Sequence, residues 1–287
     1  MNSPLLATPG AVAADSGGPD AGVAAHYGDP FAEQRALDGG LGLVDRSHRG
    51  VIRITGPDRL SWLHSLTTQD LEHLPPGDTA EALILSPNGH IEHHLTLTDD
   101  GTHLWAHVEP GTAGPLLEFL ESMRFMLRVE PADVTGEFAV LALMGPGIEA
   151  LDTDHRTIPH EVGWIETAVH LSKGCYRGQE TVARVHNLGH PPRRLVFLHL
   201  DGSEDRLPAH ADPVSLGEVG AVGFVGSAAR HYELGPIALA LIKRTVPVDA
   251  TLLAAGLPAA QEVIVPPDAG ANVTVALRGV RGVVPPR

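Results

Sequence analysis

"KGCYRGQETVAR", residues 173–184, holds the single cysteine of a 287-residue chain. Cys175 stands between two cations, Lys173 and Arg177, and between two glycines, Gly174 and Gly178. The run "GQETVARVHNLG" that follows has helical features: Val182 and Val185 share a face, and Gly189 suits a C-terminal cap before Pro191-Pro192. A helix starting near Gly178 puts unpaired backbone N–H groups and the positive end of the dipole close to the thiol. With the flanking cations, this predicts a lowered thiol pKa. The glycines leave room for a ligand or a partner backbone. The competing reading is a small inert residue packed in a glycine-rich turn. No base can be placed beside the thiol from sequence, since His186 and Glu180 lie on the same short segment, so a cysteine-protease arrangement is not supported.

Upstream, "GLVDRSHRGVIRITG" carries a short strand on Val51, Ile52 and Ile54, broken by Gly56-Pro57. "PDRLSWLHSLTTQDL" then reads as a helix with Leu60, Leu63 and Leu66 toward the core. "ALILSPNGHIEHHLTLT" predicts a hairpin turning at Pro87-Asn88-Gly89. Strict alternation sets Ile91, His93, Leu95 and Leu97 on the apolar face and leaves His94 on the wetter one. "LWAHVEP" is a further strand, "GPLLEFLESMRF" an amphipathic helix on Leu116, Leu117, Leu120 and Met123, and "EFAVLALMGPG" a strand ending in a Gly-Pro-Gly turn. Strands and helices mix without a βαβ rhythm, which predicts α+β. From Arg193 onward "RLVFLHLDG", "VGAVGFVGSAA", "ALALIKR" and "EVIVPP" read as short strands of a small barrel or sandwich. The expected division is a flexible tail over 1–28, an α+β body over 29–192 and a β-barrel over 193–287, ending loosely in "RGVRGVVPPR".

Composition narrows the function classes. Lys and Arg total 20 against 35 Asp and Glu, a formal net charge of −15, which argues against direct nucleic-acid binding. One cysteine permits no intramolecular disulfide and no cysteine-only cluster site. The N-terminus lacks the pattern of a signal peptide and no run is long enough to span a bilayer, so the expected location is cytoplasmic, off the membrane. Of 17 histidines, His90, His93 and His94 lie closest together, but alternation points neighbours to opposite faces and no HExxH occurs, so no metal site is assigned. "GAVGFVGSAA" has the spacing of a glycine-rich loop but no helix after it, a weak dinucleotide signal.

"KGCYRGQETVAR" resembles the signature KGCYxGQE, followed by Ala-Arg, of the YgfZ-type folate-binding proteins in the glycine-cleavage T-protein superfamily. "GLVDRSHRGVIRITGPDRLSWLHSL" and "VGFVGSAARHYELGPIALALIKR" are similar to that superfamily's N-terminal and C-terminal segments. The resemblance implies a T-protein-like folate-binding body with a C-terminal β-barrel. It implies tetrahydrofolate, or a folate derivative, as ligand, and a transiently held iron–sulfur cluster. Its members support assembly or repair of iron–sulfur proteins, which would be the clients here, and bacterial members are linked through such enzymes to tRNA modification. Carried over by position, Cys175 is the functional thiol. Lys173, Gly174, Tyr176, Arg177, Gly178, Gln179, Glu180 and Arg184 match the motif and count as cofactor-binding, as does the inward His93. Arg177, Arg184, Arg193 and Arg194 are the cations available to a polyglutamyl tail, although Arg193 and Arg194 also read as a solvated strand start.

Two departures bear on activity. The aminomethyltransferases of the superfamily carry an acidic pair where this chain has His93 and His94, and an imidazole offers no fixed negative charge at pH 7. Aminomethyltransferase activity is therefore not expected. The stretch 147–155 is also short, as though part of the central domain were missing. Three functions remain in competition: a folate-binding accessory factor for iron–sulfur proteins, a folate-dependent one-carbon transferase, and a non-catalytic scaffold with an inert thiol.

Overall fold

A computed structural model describes residues 2–38, 42–143 and 153–272. The Gly-Pro-Gly turn at 145–147, most of the short 147–155 stretch and the final "RGVRGVVPPR" lie outside the described residues. Where a tail is expected, residues 2–28 carry a single 3-10 turn over Pro4–Ala7 and a small ladder of β1 (Val12–Ala13) on β2 (Ala24–His26). Ser3 and Val23 are buried there. Alternation is absent from this Gly- and Pro-rich segment because the ladder is so short.

The body continues through α1 (Pro30–Asp38), β3 (Leu43–Asp45), β4 (Gly50–Thr55), α2 (Arg59–Leu66), β5 (Thr79–Leu85), β6 (Ile91–Asp99), β7 (His103–Val108), α3 (Ala113–Ser122), β8 (Glu130–Asp133) and β9 (Leu141–Leu143). Five of these strands form one antiparallel sheet in the order β5-β6-β7-β4-β8, while β3 pairs with β9. Alternating Ile52 and Ile54 on β4, with Leu95 and Leu97 on β6, bury one sheet face under Trp62 and Leu63 of α2 and Leu116 and Leu120 of α3. Fully burying each such side chain contributes about 1.5–3 kcal/mol. The predicted stripe on α2 holds, with Leu63 fully buried and Leu60 and Leu66 packed at its edge. Arg59 locks that helix to the sheet through a two-pronged bridge to Asp99 (2.6 and 2.9 Å).

The hairpin departs from strict alternation. The register slips by one residue between Ile84 and Leu85, so Ile84 lies opposite His93 but Leu85 lies opposite Ile91. A bulge of this kind moves every residue beyond it to the other face. Ile91 therefore joins Leu83 and Leu85 in a second core, with Trp164, Val169, Tyr176, Val182 and the barrel residues Leu195 and Leu241. His94, opposite Leu83, faces the same way and is buried. The expected wet environment of His94 is thus corrected: it is more buried than His93.

A 3-10 turn at Pro159–Glu161 leads to α4 (Gln179–Leu188), the helix read from the octapeptide. The barrel follows as β10 (Arg193–Leu200), β11 (Pro213–Leu216), β12 (Gly220–His231), β13 (Gly235–Lys243), β14 (Leu252–Ala254) and β15 (Leu257–Val263). These six close in the order β10-β13-β12-β11-β14-β15, which resolves barrel against sandwich. Val196, Leu198 and Leu200 alternate inward, and closure leaves no free edge. The glycine-rich run lies within β12, paired to β13, with no helix after it. Among the described residues no helix is long and apolar enough to cross a membrane.

Candidate functional site

A cleft of about 590 Å³ opens where the β5–β6 hairpin meets the start of α3 and residues 153–155. That volume lies within the range of about 300–1,000 Å³ usual for small-molecule sites. The hairpin contributes Ser86, Asn88 and residues 90–94; Glu109 and Thr112 close one side, and Thr153, Asp154 and His155 the other.

The octapeptide braces this hairpin. Gly178 caps α4 in the left-handed region (φ 84°), and Gly89 in the turn is also left-handed (φ 77°). A Cβ on Gly178 would lie 2.7 Å from the Ser86 carbonyl oxygen and 2.9 Å from the Gly89 Cα, so the helix start is pressed onto the turn. Arg177 then donates to Glu92 on the cleft wall (2.8 Å). The glycine therefore serves a close approach as expected, but what approaches is the protein's own hairpin. Gly174 differs: nothing lies within 4 Å of where its Cβ would be.

The remaining octapeptide residues divide between anchor and surface. Lys173 is buried and its ammonium donates to the carbonyls of His64 and Thr67 at the C-terminal end of α2. That end is the negative pole of the helix. Burial pushes the Lys173 amine down to about 8. Tyr176 is buried in the second core, and burial pushes its hydroxyl up to about 12. Cys175 is exposed. Both flanking cations are thus committed to other partners, Lys173 to backbone carbonyls and Arg177 to Glu92. Gln179 and Glu180 form the first turn of α4, and Arg184 is exposed on that helix. Of the ten predicted site residues, His93 alone lines the cleft directly; Arg177 reaches it through Glu92.

Arg193 and Arg194 are corrected. Arg193 grips Asp154 (2.8 and 2.9 Å) and Glu161 (3.0 and 2.8 Å), whose side chain is fully buried. Burial opposes the Asp154 charge, but the Arg193 fork and the Thr157 hydroxyl outweigh it and hold that carboxyl well below the usual range. Arg194 is fully buried at the barrel's end, bonded to the Val246 carbonyl and Gln261. Arg193 is half-buried and Arg194 fully buried, and both are committed to partners within the protein rather than to a glutamyl tail. Paired strand positions that look alike in sequence were split by the pleat between an internal ion cluster and the barrel interior.

Sequence reasoning missed the setting of His94. Its ring stacks on Trp164 (centroids 4.6 Å apart, planes at 24°), and Glu81 stands 3.8 Å from Nε2. Burial alone pushes the His93 imidazole below its ordinary value. The Trp in "HEVGWIE" beside an apolar hairpin was the available signal. Among the described residues no group of three or more His, Cys, Asp or Glu side chains is placed to hold a metal ion.

Fold and cleft define a mixed α+β protein in which a small-ligand cleft sits in the body beside a closed barrel. Residues 26–159 match the GCVT N-terminal domain. A chloroplastic protein of Arabidopsis thaliana with a provisional transferase name is 33% identical over 119 residues, 39% of this chain and 26% of that one. The aminomethyltransferase of Koribacter versatilis is 30% identical over 132 residues (43% and 33%), and that of Listeria monocytogenes 28% over 189 (62% and 51%). The chain thus spans between about a quarter and a half of these relatives' lengths. The crystal structure of glycine cleavage system aminomethyltransferase T from Bartonella henselae superposes with a TM-score of 0.72, at 15% identity, over 92% of this chain and 96% of that one. The fold is T-protein-like, and residues 26–159 are similar to the GCVT N-terminal domain and to aminomethyltransferases over part of their length.

Proposed function

We propose that this chain is a folate-binding accessory protein of the YgfZ type, which supports assembly or repair of iron–sulfur proteins through the thiol of Cys175. The observation that carries the reading is the docking of the octapeptide on the hairpin that forms the cleft, with Gly178 against Ser86 and Gly89, Arg177 on Glu92, and Cys175 left exposed. On this reading a ligand in the cleft and the thiol at the surface would be carried by the same junction of hairpin and helix.

The residues present suit a folate. The cleft has the volume for it, and the buried ring nitrogens of His94 and the Nδ1 of His93 lack hydrogen-bond partners in the protein. Tetrahydrofolate, when bound, supplies a reduced pterin able to carry one carbon and an anionic glutamyl tail. This chain's part is to orient it: the hairpin forms the floor, His93 and His94 offer hydrogen bonds, and the Arg177–Glu92 bridge closes the side toward the octapeptide. An iron–sulfur cluster is cargo here. One thiolate cannot replace the four that usually hold a cluster, so Cys175 would engage it, or a client thiol, only in passing.

Aminomethyl transfer is the second reading, favoured by the names of the relatives. Against it stand His93 and His94 where the transferases are expected to carry acids, and burial favours the neutral form of His93. Deleting the gene and assaying cluster-dependent enzymes tests the proposal. Reduced activity, restored by the intact chain and not by Cys175→Ala, is expected. Full restoration by Cys175→Ala would remove the thiol from the function, and turnover of a methylene-tetrahydrofolate substrate would establish the second reading.

A further inference from the structure

The run "RFMLR", residues 124–128, lies between the end of α3 and strand β8. Phe125 is 81% exposed, Met126 97% and Leu127 41%. Single exposed apolar residues are ordinary, but consecutive ones on a single loop forgo burial together and mark an interaction surface. Phenylalanine, methionine and arginine are also residue types enriched in protein interfaces. In the five-stranded sheet β8 is the outermost strand on the side opposite β5, so this loop stands apart from the β5–β6 hairpin and its cleft.

The loop is pinned at both ends. At one end the Trp62 indole donates to the Met123 carbonyl (3.1 Å). At the other, Asp58 accepts from the Arg128 backbone N–H (2.9 Å) and from Nε and Nη2 of its guanidinium (3.1 and 2.7 Å). The Leu127 N–H closes the turn on the Arg124 carbonyl (3.1 Å). Gly56 (φ 106°) admits the Arg128 carbonyl so closely that a Cβ there would collide with it. Phe125 itself is left-handed (φ 47°), a conformation that bulky residues rarely adopt. Backbone outliers held in place by their surroundings cluster at binding loops. The apolar tip is thus presented to solvent by a fixed frame.

Beside the tip runs a groove of about 500 Å³ with Pro57, Leu127 and Val129 in its wall and three charged groups, Arg124, Arg128 and Glu130. Two guanidiniums against one carboxylate reverse the balance of a chain whose formal charge is −15. Arg128 is bonded to Asp58 yet its side chain is 74% exposed, and Arg124 stands 3.6 Å from Glu121, too far for a good hydrogen bond. We propose that this loop and groove dock a partner protein through a segment that sets Asp or Glu beside apolar side chains. The carboxylates meet Arg124 and Arg128, and the apolar groups cover Phe125, Met126 and Leu127. Such a segment brings its charge within the screening length of about 8 Å from the two arginines. An anionic bilayer would instead spread negative charge across the whole acidic surface, Asp58 and Glu121 included, and is the poorer occupant. The inference stands independently of the folate reading.

The test pans a phage-displayed peptide library on the immobilised full chain and, in parallel, on a chain carrying Phe125→Asn and Met126→Ser. Asparagine tolerates the left-handed backbone and both side chains are exposed, so the variant should keep the parent Tm. Peptides enriched on the parent should carry Asp or Glu beside Leu, Phe or Trp. Resynthesised with a fluorophore and followed by anisotropy, they should bind the double variant about tenfold more weakly. Replacing their carboxylates by amides, or Arg124→Gln in the chain, should weaken binding about three- to tenfold. Vesicles of phosphatidylcholine and phosphatidylserine should leave the chain in the supernatant on sedimentation. Absence of enrichment, enriched peptides without carboxylates, or equal affinity for parent and double variant would overturn the proposal. Sedimentation of the chain with the vesicles would overturn it in favour of a lipid surface.

Discussion

Replacing Gly178 by alanine tests the junction between octapeptide and hairpin. The backbone there is left-handed (φ 84°), a conformation that costs an L-residue with a side chain roughly 1–2 kcal/mol. The new methyl would stand 2.7 Å from the Ser86 carbonyl oxygen and 2.9 Å from the Gly89 Cα. Both are backbone atoms of a tight turn, so neither can swing aside as a side chain end would. Overpacking of this kind adds roughly 1–3 kcal/mol. The total, about 2–5 kcal/mol, corresponds to a fall in Tm of roughly 5–15 °C for a protein of this size. Thermal unfolding followed by circular dichroism measures it. The internal control is Gly174→Ala, where nothing lies within 4 Å of the added carbon, and a change within about 0.5 kcal/mol is expected. A Gly178→Ala protein within about 1 kcal/mol of the parent would refute the account of how α4 seats on the hairpin.

Other substitutions test other parts of the structure. Arg193→Met leaves the fully buried Glu161 without its guanidinium, and should cost about 3–5 kcal/mol in urea unfolding at pH 7; Glu161→Gln in the same chain should recover part of that. Burial, with His186 nearby, pushes the His160 imidazole down to about 4. The unfolded chain takes up that proton near 6.5, so stability should fall as pH drops from about 6.5 to 4, by up to about 3 kcal/mol, and His160→Gln should remove that part of the slope. Lys173 is also depressed, so its sign is opposite to that of a paired lysine: its contribution should improve between pH 8 and 10.5, and Lys173→Met should abolish that rise in a urea series.

Much of the architecture was legible because the signals were periodic. Val51, Ile52 and Ile54, the Asn88-Gly89 turn and the Leu116–Leu120 face each announced their element. The barrel was readable from four apolar runs, while β11 and β14, only four and three residues long, gave no pattern to count. The site was less accessible. One slipped residue between Ile84 and Leu85 moved Ile91 to the other face, and register is a property of the pair of strands; His94 keeps the face that alternation gives it but is buried there because Trp164 and a second core cover that face. Arg193 and Arg194 look interchangeable as cations, yet one is held by Asp154 and Glu161 and the other by Gln261 inside the barrel. Their partners lie 32 to 67 positions away in the chain, beyond any local pattern. The octapeptide's cations illustrate the same limit: sequence set them beside Cys175, while folding sent Lys173 to the end of α2 and Arg177 to the cleft wall.

The most direct measurement is a calorimetric titration of tetrahydrofolate into the full chain and into Cys175→Ala. The account predicts saturable binding at one site in both proteins, because Cys175 is at the surface and does not line the cleft. Absence of saturable binding in the parent chain would contradict it.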